Sequence, residues 1–253
     1  MSPTVPQARQ TLQREWGAVL ELLAALEPGQ WRTPTRCSDW DVAQLTRHAV
    51  WGVSMEADAV RRLRLAQEGR ADGRQLAEHA TSQETRGALG GTAAELLDEL
   101  AALGEADPAR PLPMPYGDVP LGVALDVFVM EAGIHGDDFR DATGQQHALA
   151  DDVVASTTAF LTAFLPVLAA GSPAVPPDGT SFALVADSLR ISGRWSGGAL
   201  LIDDVPDPAV TVTGDDTSVL LYALGRLTPE HQGLRLDGDR DLARRFKSFV
   251  PGP

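Results

Sequence analysis

Residues 121–142 of the chain are LGVALDVFVMEAGIHGDDFRDA, and they predict one long helix. Glu131 and His135 stand four positions apart in it, so their side chains lie one above the other on the same helix face. One and two turns before Glu131 stand Val127 and Ala124, which are apolar. The ionisable pair therefore continues an apolar stripe and is predicted to face the core of a helical domain.

A second long helix is predicted from about Trp40 to about Gln67, with Ser38 or Asp39 as its N-cap. This helix carries His48. The residues that share a face with His48 are Leu45, Gly52 and Met55. Because most of that face is apolar, His48 is also predicted to point toward the core.

Two imidazoles and one carboxylate that meet between facing helices can hold a divalent metal ion and leave a coordination position open, as catalytic sites do. A metal ion would also offset the cost of burying the carboxylate of Glu131. The spacing alone leaves an alternative open, in which Glu131 and His135 form an ordinary ion pair and His48 is a buried histidine with protein partners.

Three further residues are candidates for supporting roles. Asp137 and Asp138 follow His135 closely, and either carboxylate could accept a hydrogen bond from an imidazole N–H. An exposed acidic helix end is the alternative. Cys37 precedes the start of the second helix, a position that can activate a thiol. No histidine lies near it in the sequence, so we expect this thiol to be inert.

The composition narrows the classes of function. The formal net charge is −14, so the protein as a whole repels nucleic acid and anionic membrane surfaces. Cys37 is the only cysteine, which excludes an internal disulfide. The N-terminus is polar and no apolar run approaches the ~20 residues of a membrane span. We therefore expect a cytoplasmic monomer or homodimer that acts on a small molecule, without nucleic-acid or membrane partners.

The chain changes character near residue 170. Helical periodicity predominates before it, and the predicted helices cover residues 7–27, 40–67, 92–103, 121–142 and 151–169. Between them, residues 69–91 are polar with at most a short helix, and the proline-rich residues 108–120 are predicted to be a connector. After a linker at 171–179, alternating patterns predict short strands. The sequence therefore predicts a helical domain over 1–170 and a small α/β domain over 171–253.

Three motifs resemble the mycothiol-dependent maleylpyruvate isomerase family. Residues 33–42 (TPTRCSDWDV), followed by LTRH at 45–48, are similar to the pattern that opens the family's first metal-histidine helix. Residues 131–138 (EAGIHGDD), with ATG at 142–144, are similar to the family's Glu-x-x-x-His-x-x-Asp…Ala-x-Gly segment. Residues 225–227 (GRL) resemble the Gly-Arg that closes a late helix in that family.

The resemblance implies an α+β fold, with an N-terminal DinB-like four-helix bundle followed by a small sterol-carrier-like α/β domain. It also implies a divalent metal ion, zinc in the first place and nickel as the alternative, held by His48, Glu131 and His135. Mycothiol is then the thiol co-substrate. A metal-bound thiol is deprotonated at neutral pH, and such a thiolate can add to an activated double bond.

The chain departs from the family pattern just before Glu131. An arginine is common there, whereas residues 128–130 are Phe, Val and Met. This difference predicts a changed pocket. A carboxylate-bearing substrate would need another guanidinium, and Arg226, Arg61 and Arg62 are the candidates for binding substrate or thiol. A solvated surface position is the alternative for each of them.

The function implied is therefore a metal-dependent, mycothiol-using isomerase or S-transferase that acts on a small electrophile such as an unsaturated acid. Two alternatives stay open. One is a metal-dependent hydrolase or cyclase of secondary metabolism, in which water replaces the thiol. The other is a non-catalytic protein that binds a metal or a small molecule, since a fold does not determine a function.

Overall fold

The structure is a computed structural model that describes residues 2–37, 40–145 and 147–252. It divides into two compact units, Met1–Ser156 and Thr157–Pro253. Long helices and one β-hairpin form the first unit, and a mixed sheet with short helices follows in the second. The predicted fold class, α+β with a helical bundle before a small α/β domain, is confirmed.

Four helices form the bundle of the first unit. They are α1 (Val5–Ala25), α2 (Val42–Leu65), α3 (Ser82–Leu103) and α4 (Leu121–Ala142). Helix α1 contacts α3 and α4, and α2 contacts the same two helices. This closed arrangement buries one continuous apolar core. Its largest fully buried side chains include Leu12, Trp16, Leu45, Leu96 and Phe128.

Capping boxes determine where the first three helices begin. Thr4, Asp41 and Thr81 each accept a hydrogen bond from the backbone three residues later. The predicted N-caps of the second helix, Ser38 and Asp39, lie outside the described residues, and α2 is capped by Asp41.

Helix α3 begins earlier than the sequence predicts. It starts at Ser82, although apolar periodicity is visible only from Thr92 onward. Three glycines in its first half weaken the helical pattern there, namely Gly87, Gly90 and Gly91. The capping box, together with packing against α1 and α2, is sufficient to form these additional turns.

The predicted connector at 108–120 is wrong, because this segment forms a β-hairpin. Strands β1 (Pro111–Met114) and β2 (Gly117–Pro120) pair antiparallel, with Met114 opposite Gly117. Prolines are tolerated here since each strand of a two-stranded ribbon is an edge strand, where a missing N–H donor leaves no partner unsatisfied. The hairpin contacts α2 and α4, and its tip carries Tyr116.

Helix α5 (Asp151–Ala170) runs across the division between the two units. It is long and apolar enough to cross a membrane by length and composition. The expectation that no segment approaches a membrane span is therefore wrong for α5. The same test is passed by core helices of proteins that never enter a membrane, and Val153, Phe160 and Leu161 on α5 are buried.

Beyond α5, the second unit contains a five-stranded sheet with two helices. Its elements are β3 (Ser181–Val185), β4 (Arg190–Ser196), β5 (Ala199–Ile202), β6 (Val210–Gly214), α6 (Asp216–Ala223), β7 (Leu234–Gly238) and α7 (Arg240–Phe249). The strand order is β5-β4-β3-β6-β7, and only β3 and β6 run parallel. An aromatic cluster of Phe182, Trp195, Tyr222 and Phe246 fills the core between sheet and helices.

Candidate metal centre

Helix α4 carries the two residues that the sequence places on one face. The Nε2 atom of His135 lies 3.0 Å from Oε2 of Glu131, one helical turn earlier. Gly133, between them, presents its backbone to Val153 at the start of α5. The close approach of α5 on that side leaves Glu131 and His135 facing α2.

Helix α2 supplies the third residue. The Nε2 atom of His48 lies 4.0 Å from Oε2 of Glu131, and the His48 and His135 rings are 5.1 Å apart between centroids. One potential ligand atom from each of His48, Glu131 and His135 lies within 4.8 Å of the other two. The structure thus brings together the three residues that sequence spacing selected.

Asp138 holds the imidazole of His135 in place. The Nδ1–H of His135 donates a hydrogen bond of 3.1 Å to Oδ2 of Asp138, whose side chain is 0% exposed. Of the two acidic residues proposed as partners of the ring, Asp138 is therefore confirmed. With Nδ1 as the donor, Nε2 is directed toward Glu131 and His48, as in metal-binding histidines with a carboxylate partner.

The electrostatics of the cluster favour a cation. Burial of the His135 ring opposes its protonation, but the hydrogen bonds to Asp138 and Glu131 outweigh this and raise its pKa to about 9. Two carboxylates flanking one imidazole therefore attract positive charge to this position. A divalent ion held by His135, His48 and Glu131 would supply this positive charge in place of the proton.

The cluster is buried on one side and accessible on the other. The side chains of His48 and Glu131 are 31% and 27% exposed, whereas that of His135 is nearly inaccessible. Two indole rings flank His48, with Trp40 at 4.7 Å and Trp51 at 6.1 Å between ring centroids. Three candidate ligands and an accessible side are the arrangement that a catalytic metal site requires.

A small space lies beside the three side chains. Its volume is about 10 Å³, which is room for about one water-sized particle. It is lined by Trp16, His48, Ala49, Gly52, Val53, Glu56, Glu131 and His135. The donor set of two nitrogens and carboxylate oxygen suits zinc and other first-row divalent ions, so these residues fit the implied metal.

The expectation that the Cys37 thiol has no histidine nearby is wrong. Cys37, His135 and Asp138 form a second group with potential ligand atoms within 4.8 Å of one another. Ion pairs from Arg36, the neighbour of Cys37, to Asp137 and to Asp141 attach the segment before α2 to α4. All three residues of this second group are buried, whereas His48 and Glu131 of the first group are partly exposed to solvent.

Two residues near the centre were missed by the sequence analysis. Glu56 lies on α2 two turns after His48. This spacing of eight residues places the two side chains on one helix face, so the sequence could have indicated Glu56 as a neighbour of the site. Tyr116 is 61% exposed at the hairpin tip, where partial desolvation and then the charges of Glu56 and Glu131 raise its pKa to about 12. No sequence signal pointed to Tyr116, because the hairpin itself was not predicted.

The structure does not bring Arg61 and Arg62 to this cluster. At 1.5 Å per residue they lie about 20 Å along α2 from His48. Arg61 Nε is 3.0 Å from Glu99, and Arg62 Nε is 2.7 Å from Asp58.

Arg226 belongs to the second unit, where its Nη1 donates to the carbonyl oxygen of Leu224. Its role in binding substrate or thiol stays a prediction.

The fold and the cluster define a helical-bundle protein with a candidate two-histidine, one-glutamate metal centre. Residues 12–140 match the family model described as the mycothiol maleylpyruvate isomerase N-terminal domain. This match covers just over half of the chain, and the protein belongs to that family.

The fold of the whole chain also has close counterparts. Two crystal structures of mycothiol-dependent maleylpyruvate isomerase, one of them a histidine-to-alanine mutant, match with TM-scores of 0.67 and 0.68. The match covers 92% of this chain and 92% of each of those chains at 12% identity, so it shows the fold alone. None of the curated protein sequences matches the chain.

Proposed function

We propose that the protein is a metal-dependent enzyme that uses mycothiol as a thiol co-substrate. It would act as an isomerase or S-transferase on a small electrophile such as an unsaturated acid. The observation that carries this proposal is the convergence of His48, Glu131 and His135 on an accessible face, in a member of this family. The names of the two structurally similar enzymes supply the thiol and the reaction class.

His48, Glu131 and His135 would hold the ion, zinc in the first place and nickel as the alternative, and its positive charge would keep a coordinating thiol deprotonated at neutral pH. Three residues around the candidate ligands support this role. Asp138 accepts the Nδ1–H of His135 and so keeps the Nε2 lone pair directed at the centre. Trp40 and Trp51 flank His48 and would cover part of its ring from solvent.

The accessible side of the centre is where the electrophile would bind. Tyr116 at the hairpin tip offers an aromatic surface and a hydroxyl group whose pKa is raised by burial and then by the negative charges of Glu56 and Glu131. Arg61 and Arg62 are paired with Glu99 and Asp58, so they are poor candidates for binding a substrate carboxylate.

Metal content tests the first half of the proposal. We expect one zinc or nickel ion per chain in the wild type and loss of it in the His48→Ala, His135→Ala double variant. His79→Ala is the matched control, since His79 is an exposed histidine of the same unit, and it should retain the metal. An absence of metal in the wild type after zinc or nickel is supplied would refute the proposed centre.

Thiol addition tests the second half. The metal-loaded protein should accelerate cis–trans isomerisation of maleylpyruvate-like unsaturated acids, or form their mycothiol adducts, only when mycothiol is present. A metal-loaded protein that binds no thiol but hydrolyses or cyclises substrates would replace the proposal with the water-based alternative. One that binds the metal and a small molecule without turnover would indicate a binding protein.

A further inference from the structure

Glu56 is a buried acidic residue beside the candidate centre, and the proposed function gives it no role. It follows His48 by two turns of α2, and Gly52 lies one turn from each, so all three share a face. Glu56 is 2% exposed, so its carboxyl group is buried within the helical bundle. A carboxyl group in such a place needs a partner, because burial without one is costly.

One oxygen of this carboxyl group has no partner in the described part of the chain. The Oε2 atom of Glu56 is inaccessible to solvent and makes no hydrogen bond to any described residue. Burial, and then the negative charge of Glu131, raise the pKa of Glu56 well above its ordinary value. Native proteins contain few buried polar atoms of this kind, and each calls for an explanation.

The carboxyl group of Glu56 shares a space with the three candidate ligands. The cavity of about 10 Å³ is lined by Glu56 together with His48, Glu131 and His135. A Cβ built on Gly52 would meet no atom within 4 Å, so no side chain separates Glu56 from His48 along this face. Glu56 is absent from the groups of potential ligand atoms within 4.8 Å found among the described residues, which places it beyond direct coordination.

We propose that Glu56 is a further functional residue of this centre, whose carboxyl group hydrogen-bonds the water or thiol bound between His48, Glu131 and His135. The inference rests on the proposed metal site but not on the identity of the thiol. Glu56 would orient the bound molecule by a direct hydrogen bond through Oε2. The role accounts for a polar atom that would otherwise only destabilise the helix interface.

Cobalt(II) in place of the native ion makes the bound molecule visible by absorption spectroscopy. We compare the wild type with Glu56→Leu, which removes the hydrogen-bonding group, and with Glu56→Gln, which keeps an uncharged one. Glu15→Gln serves as the control for changing a buried glutamate of the same bundle, because Glu15 pairs with Arg14 and Arg140 instead. The probe thiol is 2-mercaptoethanol, followed through its sulfur-to-cobalt charge-transfer band.

For Glu56→Leu we expect unchanged cobalt(II) stoichiometry and 2-mercaptoethanol affinity lowered about tenfold, which corresponds to the loss of one hydrogen bond to a charged group. Glu56→Gln and Glu15→Gln should stay within about threefold of the wild type. In the metal-free protein the midpoint of thermal unfolding should rise in Glu56→Leu, because an unpartnered buried oxygen is replaced by an apolar group. A role confined to packing would leave thiol affinity unchanged.

The outcomes separate this inference from the proposed function. If the wild type binds cobalt(II) but no thiol, the proposed thiol chemistry fails. Glu56 is then judged by the pH at which the bound water alters the cobalt spectrum, which should differ between wild type and Glu56→Leu. Equal spectra and equal affinities in these two proteins would overturn the role of Glu56. A wild type that binds no cobalt(II) would overturn both.

Discussion

Substitution of Gly133 by alanine should destabilise the first unit, because α4 and α5 touch at this glycine. A Cβ at position 133 would lie 2.2 Å from Cγ1 and 2.9 Å from Cγ2 of Val153. Carbon atoms pack best at about 3.5–4.0 Å. The added methyl group therefore overlaps Val153 by more than about 1 Å, and either the valine or one of the helices must move.

The size of the effect follows from two opposing contributions. Alanine favours a helix interior over glycine by about 1 kcal/mol. Overpacking costs about 1–3 kcal/mol, and this overlap belongs at the upper end, because valine in a helix is nearly restricted to one χ1 rotamer. We expect a net loss of about 2 kcal/mol in the free energy of unfolding, or about 4–8 °C in the unfolding midpoint.

Thermal and urea unfolding of four variants, Gly133→Ala, Val153→Ala, their double variant and Gly87→Ala, tests this reasoning. Gly87→Ala is the control, because Gly87 is an exposed glycine within α3 whose added Cβ meets no atom within 4 Å. It should gain about 0.5–1 kcal/mol. Adding Val153→Ala to Gly133→Ala should restore part of the loss, and the double variant should be more stable than the sum of the single changes predicts.

The same variants connect packing to the site. Gly133 lies between Glu131 and His135, so a displaced α4 should also lower the metal content of Gly133→Ala, whereas Gly87→Ala should keep that of the wild type. If Gly133→Ala is as stable as Gly87→Ala, then α4 and α5 do not approach as closely as the structure shows, and the reasoning is refuted.

Two further predictions concern charge. Asp138→Asn should lower zinc affinity about tenfold to a hundredfold in a chelator competition, because His135 loses the carboxylate that orients it. Asp141→Asn, the control, should leave zinc affinity unchanged. Equal zinc affinities of the two variants would contradict the role of Asp138. Burial, and then the charge of Arg226, lower the pKa of Lys247 to about 8, which a ¹³C-lysine NMR titration resolves as one signal since Lys247 is the only lysine. Between pH 8 and 10.5 the unfolded chain then binds more protons than the folded protein, so the free energy of unfolding should rise with pH over that interval. Lys247→Met should remove this rise. An NMR titration midpoint near pH 10.5 would refute the lowered pKa.

Most of the local structure followed from the sequence. The bounds of α4 were predicted without error, because apolar periodicity runs unbroken from Leu121 and a glycine follows its end at Gly144. The hairpin was missed because its strands contain prolines, and local propensity predicts a break in secondary structure at a proline. Strand pairing of Met114 with Gly117 is a contact that propensity does not encode.

The sequence by itself determined that Glu131 and His135 share a helix face, because the helical repeat of 3.6 residues makes positions four apart neighbours. Only the tertiary structure decided that His48 reaches them, that Cys37 lies beside His135, and that Glu56 shares their cavity. These approaches depend on how α2 packs against α4 and on where the loop before α2 attaches. Such contacts join residues far apart in the chain, and their geometry comes from the packing of the whole core rather than from any local pattern.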